Sequence, residues 1–191
     1  MRTDTLRRRK CLDGLCETAR VRRLVVIRHG KAQRDSPRGD HGRELSERGR
    51  AQAEALRTWT VDDEPLGDVR GTVVVSDAVR TLQTFELGLV GTPVCERAVV
   101  DPLLYNGARD VTTAAVLESL AAADPGTGDL IHVGHNPTVA YLVHDLVEDP
   151  ARAERALAQG YPLCGVAILA FRGNAPAPGT CELMFFGAPE I

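Results

Sequence analysis

No apolar run in the 191-residue sequence approaches the roughly 18 residues of a membrane-spanning helix, so an integral helical membrane protein is not expected. There is no basic excess either: 23 Lys and Arg stand against 26 Asp and Glu, a net charge of −3. No general positive field therefore points to nucleic acid. The charged start (Arg2, then "RRRK" at 7–10) is not followed by an apolar segment, so no secretory signal is expected. Five cysteines (Cys11, Cys16, Cys95, Cys164 and Cys181) are odd in number and irregular in spacing, which suits neither a disulfide framework nor a zinc site. Reduced thiols in a cytoplasmic protein are the plain reading, with a Cys11–Cys16 bridge less favoured. No internal repeat, interdomain linker or carboxylate cluster is visible, and no metal or other cofactor is expected.

What is present is the balance of a soluble globular domain, 43% hydrophobic and 26% charged. Residues 1–20 are dense in charge and show no helical or strand period. They read as a flexible, solvated extension rather than a nucleic-acid or partner contact, with one domain over 21–191.

From Val21 onward, short apolar runs alternate with helical patterns. "LVVI" (24–27), "GTVVVS" (71–76), "DLIHV" (129–133) and "GVAILAF" (165–171) are apolar on successive residues, the pattern of strands buried on both faces. Between them, segments 45–59, 77–89, 110–123 and 136–147 carry apolar residues near a 3.6 period. Such alternation predicts crossover units and a mostly parallel sheet between helices, with "CELMFF" (181–186) closing it, antiparallel, at an edge.

In open α/β sheets, ligands bind beyond the carboxyl ends of the strands. Three polar clusters fall there: Arg28-His29-Gly30, Ser76-Asp77 with Arg80, and Gly134-His135-Asn136-Pro137. Taken singly, each has an ordinary explanation as a glycine turn, a solvated first-turn arginine or a satisfied loop histidine. Together they bring two imidazoles and two guanidiniums to one edge, a set suited to a small phosphate-like anion. Asn136 with Pro137, and Ser76 or Asp77, are expected to cap helices whose N-termini would add free N–H groups. A neutral imidazole can attack phosphorus and form a phosphohistidine that water then hydrolyses. Arg28 and Arg80 beside His29 would disfavour its imidazolium form. His135 and the arginines would stabilise charge on the transferring group.

Residues 24–32, "LVVIRHGKA", resemble the first motif of the histidine phosphatase superfamily, the phosphoglycerate mutase and acid phosphatase group. "DHGRELSERGRAQAEAL" (40–56), "VVSDAVRTLQT" (73–83) and "IHVGHNPTVAYL" (131–142) resemble the corresponding stretches of its SixA-like branch, in order, and "GYPLCGVAILAF" (160–171) its late strand. The resemblance implies a phosphoglycerate mutase-like three-layer α/β/α sandwich. It implies His29 as the phosphorylated nucleophile, with Arg28, Arg80 and His135 in the phosphate pocket. Arg43 matches an arginine that lies near that pocket; its alternative is a surface ion pair with Asp40 or Glu47.

The sequence departs from most ester-cleaving members of the family it resembles, which carry a carboxylic general acid after the second arginine. Residues 98–117 contain no Glu, Asn106 stands near where an acid is expected, and Asp101 and Asp110 are weak candidates, Asp110 reading better as a helix cap. An alkoxide leaving group gains about a hundredfold or more from a positioned acid. An imidazole leaving from phosphohistidine needs it far less. A phosphohistidine-bearing protein is therefore the expected substrate, with a small nucleotide or sugar phosphate ester as the alternative. A phosphate-binding module without turnover, and a metal site on His132 and His135, fit the residues less well.

Overall fold

The computed structural model describes residues 21–61, 65–107 and 110–191. The first twenty residues, with Cys11, Cys16 and the expected flexible extension, lie outside the described residues.

The elements run β1 (Arg22–Arg28), α1 (Glu47–Val61), β2 (Gly71–Ser76), α2 (Val79–Gly88), β3 (Cys95–Asp101), a 3-10 turn (Pro102–Leu104), α3 (Thr113–Ala123), β4 (Asp129–Gly134), α4 (Thr138–Leu146), α5 (Pro150–Leu157), β5 (Val166–Phe171) and β6 (Glu182–Gly187). The six strands form one sheet in the order β3-β2-β4-β1-β5-β6. β3, β2, β4 and β1 are parallel neighbours, whereas β5 pairs antiparallel with β1 and β6 antiparallel with β5. The sheet is thus mixed, and only β5 runs against the rest.

Consecutive apolar residues in the central strands bury both faces, because successive side chains point to opposite sides of a strand. Leu24 and Val26 of β1 join Val74 and Leu130 in a core beneath Val116, Leu120, Leu142, Val143 and Ala153 of α3, α4 and α5. Val25 and Ile27 join Val73, Val75, Ile131 and Val133 in a second core beneath Leu56 of α1, flanked by Leu82 and Phe85 of α2. Each fully buried Val, Leu or Ile among these contributes roughly 1.5–3 kcal/mol of hydrophobic stabilisation. The result is an α/β/α sandwich.

Two elements were not anticipated from sequence. β3 is an edge strand, half-exposed along most of its length and carrying Glu96 and Arg97, so it lacks an apolar run. α5 buries only Ala153, although Asp149 accepts a hydrogen bond from the Arg152 N–H and Pro150 opens the helix, a start signal legible in the sequence.

Several expected caps are corrected. α2 has Ala78 at its N-cap with no side-chain bond, so neither Ser76 nor Asp77 caps it. Instead, Ser76 bonds His135 and Asp77 faces His41. α4 begins at Thr138 after a cis Asn136–Pro137 peptide, and its first turn closes on the His135 and Pro137 carbonyls rather than on the Asn136 side chain. Thr112, not Asp110, caps α3. Among the described residues no helix is long and apolar enough to cross a membrane, and Cys95, Cys164 and Cys181 are unpaired.

Candidate active site

The carboxyl ends of β1, β2 and β4 converge on one edge, and the antiparallel β5 starts at the same edge. His29 sits one residue past β1 and is clamped there: its N–H donates to the Gly134 carbonyl at 3.1 Å, and its carbonyl accepts from the Cys164 N–H at 3.2 Å. The next residue must be glycine, because a Cβ on Gly30 would lie 2.7 Å from the Gly49 carbonyl oxygen in the first turn of α1. Backbone would have to move, since an oxygen at that distance has no room to give. Gly30 also donates its N–H to the Thr84 hydroxyl at 3.1 Å, tying this turn to α2.

The imidazole of His29 has a defined polarity. Its Nδ1 lies 2.7 Å from the Gly30 carbonyl oxygen, which can only accept, so Nδ1 carries the proton and Nε2 the lone pair. Arg80 Nε points at that Nε2 from 3.3 Å. The pKa of His29 is lowered to about 4, first by burial and then by Arg80, Arg28 and Arg43, against the opposing pull of the Gly30 carbonyl. The sequence suggested that the arginines keep this histidine neutral; burial is the larger cause.

Arg80, 4% exposed, reaches the site from the first turn of α2. Arg28, at the end of β1, donates from Nη1 to the Tyr161 carbonyl, while its buried Nε has no partner. His135 follows β4, its ring centroid 5.2 Å from that of His29. Its Nε2 lies 2.9 Å from the Ser76 hydroxyl, leaving Nδ1 buried and unpartnered. Burial, followed by His29 and Arg80, lowers its pKa to about 2.

Arg28, His29, Arg43, Arg80 and His135 line one open cavity of about 330 Å³, with Lys31, Ala32, Asn106, Asn136 and Leu163 completing the wall. Arg43 also forms the ion pair with Asp40 that was its alternative reading, with 2.7 Å between Nη2 and Oδ1. Both readings of that residue therefore describe the same geometry. Asn106 is held at the wall by the Thr138 hydroxyl, 2.8 Å from its Nδ2. The two candidate acids are elsewhere: Asp101 and Asp110 line a separate cavity. Asp101 is occupied there by the Leu103 N–H and the Ser119 hydroxyl. Among the described residues no group of three or more His, Cys, Asp or Glu is placed to hold a metal ion.

Residues 24–101 match the family model of the histidine phosphatase superfamily, branch 1. The matched segment, short of half the chain, holds Arg28, His29, Arg43 and Arg80 and ends before His135. Solved structures extend the likeness over nearly the whole chain. A candidate phosphohistidine phosphatase SixA from Nakamurella multipartitia is 26% identical with a TM-score of 0.73, covering 91% of this chain and 99% of its own. A candidate SixA from Agrobacterium tumefaciens is 26% identical with a TM-score of 0.70, covering 88% and 99%. A mycobacterial glucosyl-3-phosphoglycerate phosphatase shares the fold at 23% identity and a TM-score of 0.57, over 88% of this chain and 100% of its own. No curated protein matched the sequence.

The site residues missed in the sequence are Tyr105 and Asp40 as a pair. The Tyr105 hydroxyl donates to Asp40 Oδ2 at 2.7 Å, and its ring lies 5.7 Å from the Arg80 guanidinium. Tyr105 sits in a short loop after β3, with no motif around it to mark it.

The buried histidines also set the pH response of the fold. His29 and His132 both have folded pKa values of about 4, below the ordinary 6.5, so the unfolded chain binds more protons between those limits. Stability present above about pH 6.5 is therefore lost as pH falls toward 4, with about 3 kcal/mol from fully buried His132 alone. Thermal midpoints measured from pH 8 down to pH 4 should hold steady to about 6.5 and then fall; a midpoint unchanged to pH 4.5 would contradict these buried neutral rings.

Proposed function

We propose that this histidine phosphatase removes phosphate from protein phosphohistidine through a covalent intermediate on His29. The observation that carries the reading is that no carboxylate lines the cavity holding His29 among the described residues. Asp40, just outside it, has its pKa lowered to about 2, chiefly by the Tyr105 hydroxyl and further by Arg80 and Arg43, so it stays ionised and has no proton to give.

In this reading the His29 Nε2 lone pair attacks phosphorus and the bond to the substrate's imidazole nitrogen breaks, that nitrogen leaving with a proton taken from solvent. Arg28, Arg80 and Arg43 offset charge on the three equatorial oxygens, where fixed cations act without reorganising. His135, held through Nε2 by the Ser76 hydroxyl, completes the wall beside the same oxygens. Water then attacks the phosphohistidine, releasing orthophosphate and restoring the neutral imidazole. The cavity is open, with Lys31 and Asn136 exposed at its wall, as a protein-borne phosphoryl group requires.

The test compares two rates on the purified protein: phosphate release from a phosphohistidine-bearing protein or phosphoramidate, and hydrolysis of an alkyl phosphate. Fast N–P cleavage with negligible alkyl ester cleavage is expected. The reverse preference would move the substrate to small phosphate esters, the class named for the sugar-phosphate relative.

A further inference from the structure

The guanidiniums in the cavity wall are not all free to meet substrate. Asp40, in the loop before α1, engages two of them. Arg43 places Nε 2.8 Å and Nη2 2.7 Å from Asp40 Oδ1. Arg80 donates from Nη1 to the Asp40 carbonyl at 2.8 Å and from Nη2 to Oδ2 at 3.2 Å. These bonds take one N–H from each Nη group of Arg80 and fix its Nε facing His29. Tyr105 adds its hydroxyl to the same Oδ2. The carboxylate is thus bonded on both oxygens while half-exposed, and without it Arg80 would keep only the Asp40 carbonyl and Arg43 only the Gln33 carbonyl as acceptors in this loop.

We infer that Asp40 is a counter-ion set behind the anion pocket, a positioning residue that orients Arg80 and Arg43 and limits the grip of the site on product phosphate. The inference rests on the phosphatase reading of this cavity. Three guanidiniums around one small cavity would hold a released phosphate tightly, and retention of product limits turnover. An adjacent fixed carboxylate opposes a second anion by like-charge repulsion, while its hydrogen bonds keep the arginines where the transferring group needs them. Its ionisation well below neutral pH means that the charge is present throughout the working range.

The experiment measures binding of inorganic phosphate by calorimetry, together with kcat and product inhibition, for the wild type, Asp40→Asn and Asp40→Glu. The loop position of Asp40 keeps these changes out of both cores, and matching thermal midpoints check that. Asp40→Asn is expected to tighten phosphate about tenfold, lower kcat and make added phosphate inhibit at correspondingly lower concentration, with a steeper salt dependence. Asp40→Glu, which retains the charge, should stay near the wild type. A merely structural Asp40 predicts the opposite, weaker phosphate binding in Asp40→Asn from arginines that have lost their anchor. Unchanged or weaker binding in that variant overturns the inference alone. A wild-type protein that binds no phosphate overturns the reading of the pocket and the inference with it.

Discussion

His29→Ala is expected to abolish turnover, with kcat down by at least about a thousandfold and no phosphoenzyme formed, because removing a covalent nucleophile removes the reaction path itself. The geometry singles out this histidine over the other buried ones. His132 is enclosed in β4 among the apolar side chains of the core. His135 directs one ring nitrogen at Ser76. Only His29 combines a tautomer set by its own neighbour's carbonyl, a lone pair on Nε2 and a place in the cavity wall. The loss should be chemical rather than structural: the backbone bonds that clamp His29 to Gly134 and Cys164 survive the substitution. Two measurements separate these effects. Rapid-quench labelling should show acid-labile phosphate on the wild type and none on His29→Ala, whereas inorganic phosphate should still bind the variant through Arg28, Arg43 and Arg80. Near-normal phosphate release by His29→Ala would overturn the mechanism.

Arg80→Ala carries the second largest expected effect, a loss of about a hundredfold to a thousandfold in kcat, comparable to deleting one preorganised donor from an oxyanion hole. Arg80 is nearly fully buried, its Nε is 3.3 Å from the His29 Nε2, and one N–H on each Nη goes to Asp40. A guanidinium so placed cannot be replaced by a neighbour, since Arg28 is tied to the Tyr161 carbonyl and Arg43 to Asp40 and the Gln33 carbonyl. Arg80→Lys should recover only part of the activity, because an ammonium lacks the planar fork that serves Asp40 and the phosphoryl group together. The acid limb of the rate profile gives an independent check. Arg80 is one cause of the lowered His29 pKa, so its removal should move that limb to higher pH; burial is the larger cause, so the shift should be modest. A kcat within a few-fold of wild type, with only KM raised, would show that Arg80 binds ground state and transition state alike.

Much of this was legible in the residues themselves. Runs such as "LVVI" and "VVV" bury both faces and so must lie inside a covered sheet, and that placed Arg28-His29, Ser76-Arg80 and Gly134-His135 at the same strand ends before any coordinates. The lack of Glu between 98 and 117 was equally visible, and it supports the proposed preference for N–P over ester cleavage. Helix ends were legible to within two or three residues, but the groups that cap them were not. Ser76, Asp77 and Asn136 are all good caps by type, and each proved to have another place because a competing partner or the backbone itself closed the turn.

The sequence by itself determined the layered α/β class, the central apolar strands and the identity of the two histidines and two arginines, because periodicity and residue chemistry act locally. Only the tertiary structure decided that β5 runs against its neighbours, with Leu163 before it at the pocket wall and the Tyr161 carbonyl on Arg28, and that β3 forms the edge with charged side chains. It alone also decided that Asp101 and Asp110 face a different cavity, and that Asp40 and Tyr105, 65 residues apart, meet on Arg80. Contacts between loops so far apart depend on where the sheet delivers each chain end in space, and no local pattern encodes that.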